Sequence, residues 1–127
     1  MGTKPLPHYQ TVIPYLIVDG AESFLEFLTK AFDATEIMRE VRSEGGIRHA
    51  QVRIGDSVVM LCDPTPEAAA IPSMIFLYVE SADATYKSAL AAGAKSIRAP
   101  QDETHGNRMG GVVDPFGIQW WIANPIR

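Results

Sequence analysis

The chain carries a single cysteine, Cys62, which excludes an internal disulfide and any cysteine-built metal cluster. No helix start or basic cluster lies near it in sequence to lower its pKa, so Cys62 reads as a small buried apolar residue, with a catalytic thiol as the alternative. Long apolar runs are absent: nothing approaches the roughly 20 residues of a membrane span. The opening MGTKPLPHYQ has no signal-like apolar stretch. A soluble, cytoplasmic protein without a membrane partner is expected. Excess positive charge is absent too. The net charge is −4 with both signs interspersed, so no basic stripe marks a nucleic-acid surface. There is no phosphate-cradling glycine loop and no Gly-x-Ser-x-Gly nucleophile turn. The three histidines, His8, His49 and His105, lack the spacing of a metal-binding pair.

What is present is one pattern written twice. TVIPYLIV (11–18) is rich in β-branched and apolar residues and predicts a strand. In DGAESFLEFLTKAFDA, Ala21, Phe24, Leu25, Leu28, Ala31 and Phe32 recur at helical spacing, with Asp19 placed to cap the start. TEIMREVR, IRHAQVRI and SVVMLC predict three strands, joined by turns at Gly45-Gly46 and Gly55-Asp56. Residues 63–72 hold three of the nine prolines and read as a linker. The order then recurs: strand SMIFLYVE, a helix from cap Ser81 to Gly93 burying Ala82, Tyr86, Ala89 and Leu90, strand KSIRAP, and a hairpin around Asp114-Pro115-Phe116-Gly117. The copies register at an offset of 61 residues, pairing Ile13 with Met74 and Met60 with Trp121.

An α+β fold is therefore expected over 1–127 as one domain: βαβββ module one at 9–62, the linker, and βαβββ module two at 73–125. One copy leaves a sheet face bare, so the copies pair to complete a core. The expected result is a cupped, eight-stranded mixed sheet, built of two four-stranded sheets with the helices outside. Alternation puts Trp120 in the core and Trp121 on the cup face. The cup face also takes Ile13, Tyr15, Met60, Met74 and Phe76. Such a lining suits flat apolar ligands; a filled core is the alternative. In RHAQVRI the apolar set faces the helices. His49, Gln51 and Arg53 then face the cup or its rim, as acid–base or anion-binding groups, or form a plain exposed strand face. Arg108 either binds an anion over the cup or ties its loop to a carboxylate such as Asp114.

The duplicated plan, with PYLIVDGAESFLEFLTKAFDA, RHAQVRIGDSVVMLCD, LYVESADATYKSALAAGAK and GNRMGGVVDPFGIQWWIA, resembles the vicinal oxygen chelate superfamily of glyoxalases, bleomycin-resistance proteins and extradiol dioxygenases, and within it the PhnB-like group. The resemblance implies the glyoxalase/bleomycin-resistance fold and a homodimer. It also implies four metal-ligand positions, which carry over to Ile13, Met60, Met74 and Trp121. None of these is a His or a carboxylate. The expectation is a protein without metal or other cofactor that binds or sequesters a small apolar or aromatic molecule. The alternatives are a lyase, isomerase or dioxygenase of this superfamily, with a relocated metal site at His49, Gln51 and His105 or metal-free acid–base chemistry, and an interaction module with a filled cup.

Overall fold

Alternating apolar residues and two helical stripes produce ten elements. The computed structural model describes residues 9–104 and 106–126, so His8 and His105 lie outside the described residues. The order is β1 (Tyr15–Ile17), α1 (Ala21–Phe32), β2 (Thr35–Val41), β3 (Ile47–Ile54), β4 (Ser57–Cys62), β5 (Ser73–Tyr78), α2 (Ala82–Ala91), β6 (Lys95–Asp102), β7 (Asn107–Val113) and β8 (Ile118–Pro125). They form two four-stranded mixed sheets, ordered β1-β4-β3-β2 and β5-β8-β7-β6. In each, the first and last strands of a module run parallel, and Tyr15 opposite Met60 repeats as Phe76 opposite Trp121. Both pairs obey the 61-residue offset. Among the described residues no helix is long and apolar enough to cross a membrane.

The first strand is shorter than its composition suggests. β1 begins at Tyr15, and Ile13 precedes it. Pro14 has no N–H to give a ladder; its carbonyl still accepts from Met60 N at 2.9 Å. Capping also differs from the expectation. Asp19 does not cap α1. The N-cap is Gly20, at φ +97°, and the N–H groups of Gly20 and Ala21 both donate to Asp63 Oδ1 at 3.0 Å. The other oxygen, Asp63 Oδ2, accepts from Ile47 N at 2.7 Å. The last residue of the hairpin thus returns to hold the helix start. In module two, Asn124 Oδ1 accepts from Ala82 N at 2.6 Å, again at the 61-residue offset. There Ser81 adds a local cap, accepting from Ala84 N at 3.1 Å.

Ala50, Val52 and Ile54 of β3 and Val59 and Leu61 of β4 join α1, and Val112, Ile118, Trp120 and Ile122 of the second sheet continue the same core. The helices pack against each other. Aromatic contacts between the modules reinforce this: Phe116 lies 5.2 Å from Phe24 and 6.3 Å from Phe27, and Trp120 lies 4.6 Å from Phe32, centroid to centroid. One carboxylate orders this junction. Asp114 Oδ1 accepts from Phe116 N and Ile118 N at 2.8 and 3.0 Å, and Oδ2 accepts from the Trp120 indole at 2.8 Å. Burial pushes the Asp114 carboxyl up, partly offset by these donors.

Asp63 has the opposite balance. Burial disfavours its charge, but the N–H groups of Ala21, Ile47 and Gly20 outweigh it and hold the carboxyl below the usual range. Its stabilisation is complete above the unfolded pKa of about 3.9 and is lost as pH falls through the lower folded value. Asp63→Asn, which turns an amide toward one donor, should cost about 2 kcal/mol at neutral pH. In urea denaturation, the gap to wild type should shrink below about pH 4. A gap that stays constant with pH would contradict the role of the charge.

Candidate functional site

With Trp120 held in the core, the next residue of β8 must point out of the opposite sheet face. Trp121 is half-buried there. Its partner on β7 is Gly111, and the partner of Gly111 on β6 is Arg98. A row of four therefore crosses the sheet: Phe76, Trp121, Gly111, Arg98. The indole lies against Gly111, where a Cβ would stand 2.7 Å from the ring. Arg98 leans over the same glycine, its guanidinium carbon 5.4 Å from the indole centroid. Trp121 Nε1 donates to Gln119 Oε1 at 3.2 Å. The result is an open hollow of about 450 Å³ lined by Met74, Phe76, Arg98, Met109 and Trp121. Met74 is 65% exposed and Phe76 49%, so apolar surface faces outward.

The matching row of the first sheet is Tyr15, Met60, Gln51, Met38. Here polar groups form a chain. Tyr9 Oη donates to Gln51 Oε1 at 2.6 Å, Gln51 Nε2 meets His49 Nε2 at 2.8 Å, and His49 Nδ1 meets Tyr15 Oη at 2.9 Å. With Gln51 oriented to accept from Tyr9, its amide faces Nε2, and the tautomer with its proton on Nδ1 completes the chain to Tyr15. Partial burial, then the nearby Cys62 thiol, push the Tyr15 phenol up. The side chain of Gln10 binds both the N–H and the C=O of Val58, so the segment before β1 lies along this sheet.

The sequence candidates thus divide. Tyr15, His49, Gln51 and Met60 share the first sheet. Arg53 is half-buried on β3, two residues beyond Gln51, and Ile13 is half-buried ahead of β1. Met74, Phe76 and Trp121 meet in the hollow on the second sheet. Arg108 does not join them. Its guanidinium is held by Asp83 of α2, at 2.7 Å, and by Asp102; these carboxylates push its pKa further up. It ties strand to helix, and Asp114 is not its partner. Arg98, Met109 and Gly111 were not among the sequence candidates. The Gly110-Gly111 pair inside a strand was the available signal, since a strand glycine marks close approach of another group.

The four carried-over positions present aliphatic, thioether and indole groups. Among the described residues no three His, Cys, Asp or Glu side chains are grouped to hold an ion. These residues do not fit a hard divalent cation. A second hollow of about 470 Å³ opens beside the start of α1, lined by Asp63 and Arg42 among others. Two of these groups are already engaged: Asp63 caps α1, and Arg42 donates to the carbonyls of Asp63 and Pro64.

A model of the Glyoxalase/Bleomycin resistance protein/Dioxygenase superfamily matches residues 6–122. The uncharacterized protein Mb0911c of Mycobacterium bovis is 39% identical over 125 residues, covering 90% of this chain and 82% of its own. TioX from Micromonospora sp. ML1 superposes with a TM-score of 0.75 at 22% identity, over 92% of this chain and 99% of its own. A PhnB protein from Bacillus cereus gives 0.70 at 16% identity, over 91% and 99%.

The Gly111 contact is open to direct test. Gly111→Ala inserts a methyl where the ring now lies, and the ring must swing away. We expect a loss of about 1–3 kcal/mol and a red shift of tryptophan emission as Trp121 meets water. Unchanged stability and emission would contradict the stacking of Trp121 on Gly111.

Proposed function

The chain belongs to the Glyoxalase/Bleomycin resistance protein/Dioxygenase superfamily, and from that premise we propose that it binds a small, flat, largely apolar molecule without a metal. The observation that carries this reading is the hollow beside Trp121. Its volume of about 450 Å³ falls within the roughly 300–1,000 Å³ of small-molecule sites. Its walls are an indole, a phenyl ring and two thioethers, and methionine adapts to irregular apolar shapes. The indole is braced from below by Gly111, so its outward face is presented for stacking at little conformational cost.

The ligand is held, in this reading, between two copies of the chain. Met74, Phe76 and Tyr78 are exposed along one strand, more apolar surface than an isolated sheet face needs. The hollow draws its lining from module two alone. A homodimer that lays another copy over this face encloses the ligand. The reading of the protein as an enzyme rests on a different observation, the Tyr9–Gln51–His49–Tyr15 chain. There His49 and the exposed Tyr15 hydroxyl form a two-residue relay able to pass a proton to a bound group, with Gln51 orienting the imidazole.

Calorimetric titration with naphthamide, a neutral flat probe, tests the binding reading. Wild type should bind it, and Trp121→Ala should weaken binding about tenfold or more while the variant still unfolds in one cooperative transition. Sedimentation should give two chains per particle. Binding that ignores Trp121→Ala would place the ligand elsewhere. Binding that disappears on Tyr15→Phe but survives Trp121→Ala would favour the relay on the first sheet.

A further inference from the structure

Arg98 is the one charged residue in the lining of the apolar hollow, and its position is built rather than incidental. It sits on β6 between two register shifts of the β6–β7 ladder, and such bulges re-aim side chains. Its neighbour Gly111 has no side chain, so the guanidinium lies across the strand and reaches Trp121. The side chain is 35% exposed as a whole. Its Nε and Nη2 are nonetheless buried and have no hydrogen-bond partner among the described residues. Nη2 stands 3.0 Å from Glu103 Oε2, an ion pair out of line for a hydrogen bond. Glu103 Oε2 already accepts from Gln101 Nε2 at 3.0 Å.

A guanidinium presents its N–H groups as a planar fork that only an acceptor can satisfy. The other lining residues are Met74, Phe76, Met109 and Trp121, whose side chains offer carbon, weakly accepting sulfur and one indole donor. The lining itself therefore offers this edge of the guanidinium no acceptor besides Glu103. We propose that the ligand is a flat aromatic acid. Its ring stacks on Trp121 beside Phe76, and its anionic group, a carboxylate or an acid of similar shape, takes the Nε and Nη2 donors of Arg98 in a two-pronged bond. Glu103 is the resident counter-charge that the ligand displaces.

This inference rests on the binding reading above, and the test separates the two. Naphthoate and naphthamide share one ring system and differ in charge. Calorimetric titration of the wild type should show naphthoate binding about tenfold or more tightly than the amide. Arg98→Met should cost naphthoate far more than the amide and bring the two probes within about twofold of each other. Arg98→Lys, which keeps the charge and loses the fork, should fall between. Glu103→Gln should tighten naphthoate alone. Equal binding of the two probes by wild type, or equal weakening of both by Arg98→Met and Arg98→Lys, overturns the assignment to Arg98 and leaves the binding reading standing. Failure of wild type to bind either probe overturns both.

Discussion

The carboxylate of Asp114 is the constraint on which the rest of the molecule depends. It accepts two backbone N–H groups of its own turn and the indole N–H of Trp120. Hydrogen bonds to a charged group contribute about 1.5–3 kcal/mol each, against the burial that raises its pKa. The geometry matters more than the sum. Fixing the turn delivers Phe116 to the face of α1, and fixing the indole delivers Trp120 to Phe32. These contacts join the two modules into one core. They also set which way β8 faces. Because Trp120 is held inward, Trp121 is held outward, and the position of the candidate site follows from the core.

The duplicated plan shows what each module conserves and what it varies. The return of the last strand to the helix start is kept, through a charged Asp63 in one copy and a neutral Asn124 in the other. The parallel pairing of first and last strands is kept residue for residue. The open faces differ. In the first sheet a glutamine, a histidine and two tyrosines satisfy one another, and Gln51 is buried. In the second the corresponding row has a glycine at its centre, and the emptied space is shared by Trp121 and Arg98. One sheet uses its polar groups internally, while in the other two donors of Arg98 have no hydrogen bond among the described residues, with Glu103 beside them as an ion pair.

Much of this was readable in the sequence, because periodicity and the internal repeat act locally. Alternation alone separates Ala50, Val52 and Ile54 from His49, Gln51 and Arg53, and Trp120 from Trp121. Contacts across the chain were not readable. Asp19 is adjacent to α1 and looks like its cap, but Asp63 holds the helix start from more than forty residues away. The sequence leaves Arg108 either an anion over the cup or a tie to a carboxylate such as Asp114; the tie is the one made, but to Asp83 of α2 and Asp102. Arg98 sits in the unremarkable stretch KSIRAP. Its role exists only because Gly111, on the strand between it and Trp121, leaves room for both, and pairing register of that kind is not written in either segment alone.

The measurement that tests the account most directly is a nitrogen–proton NMR titration of the wild type with naphthamide, following the two indole N–H resonances. Trp120 donates to Asp114 in the core and Trp121 donates to Gln119 at the edge of the hollow, so the two report separately. The account predicts that the Trp121 resonance shifts and saturates while that of Trp120 stays in place. A probe that binds without moving Trp121, or that moves both resonances equally, would contradict a ligand site built on Trp121 and Gly111.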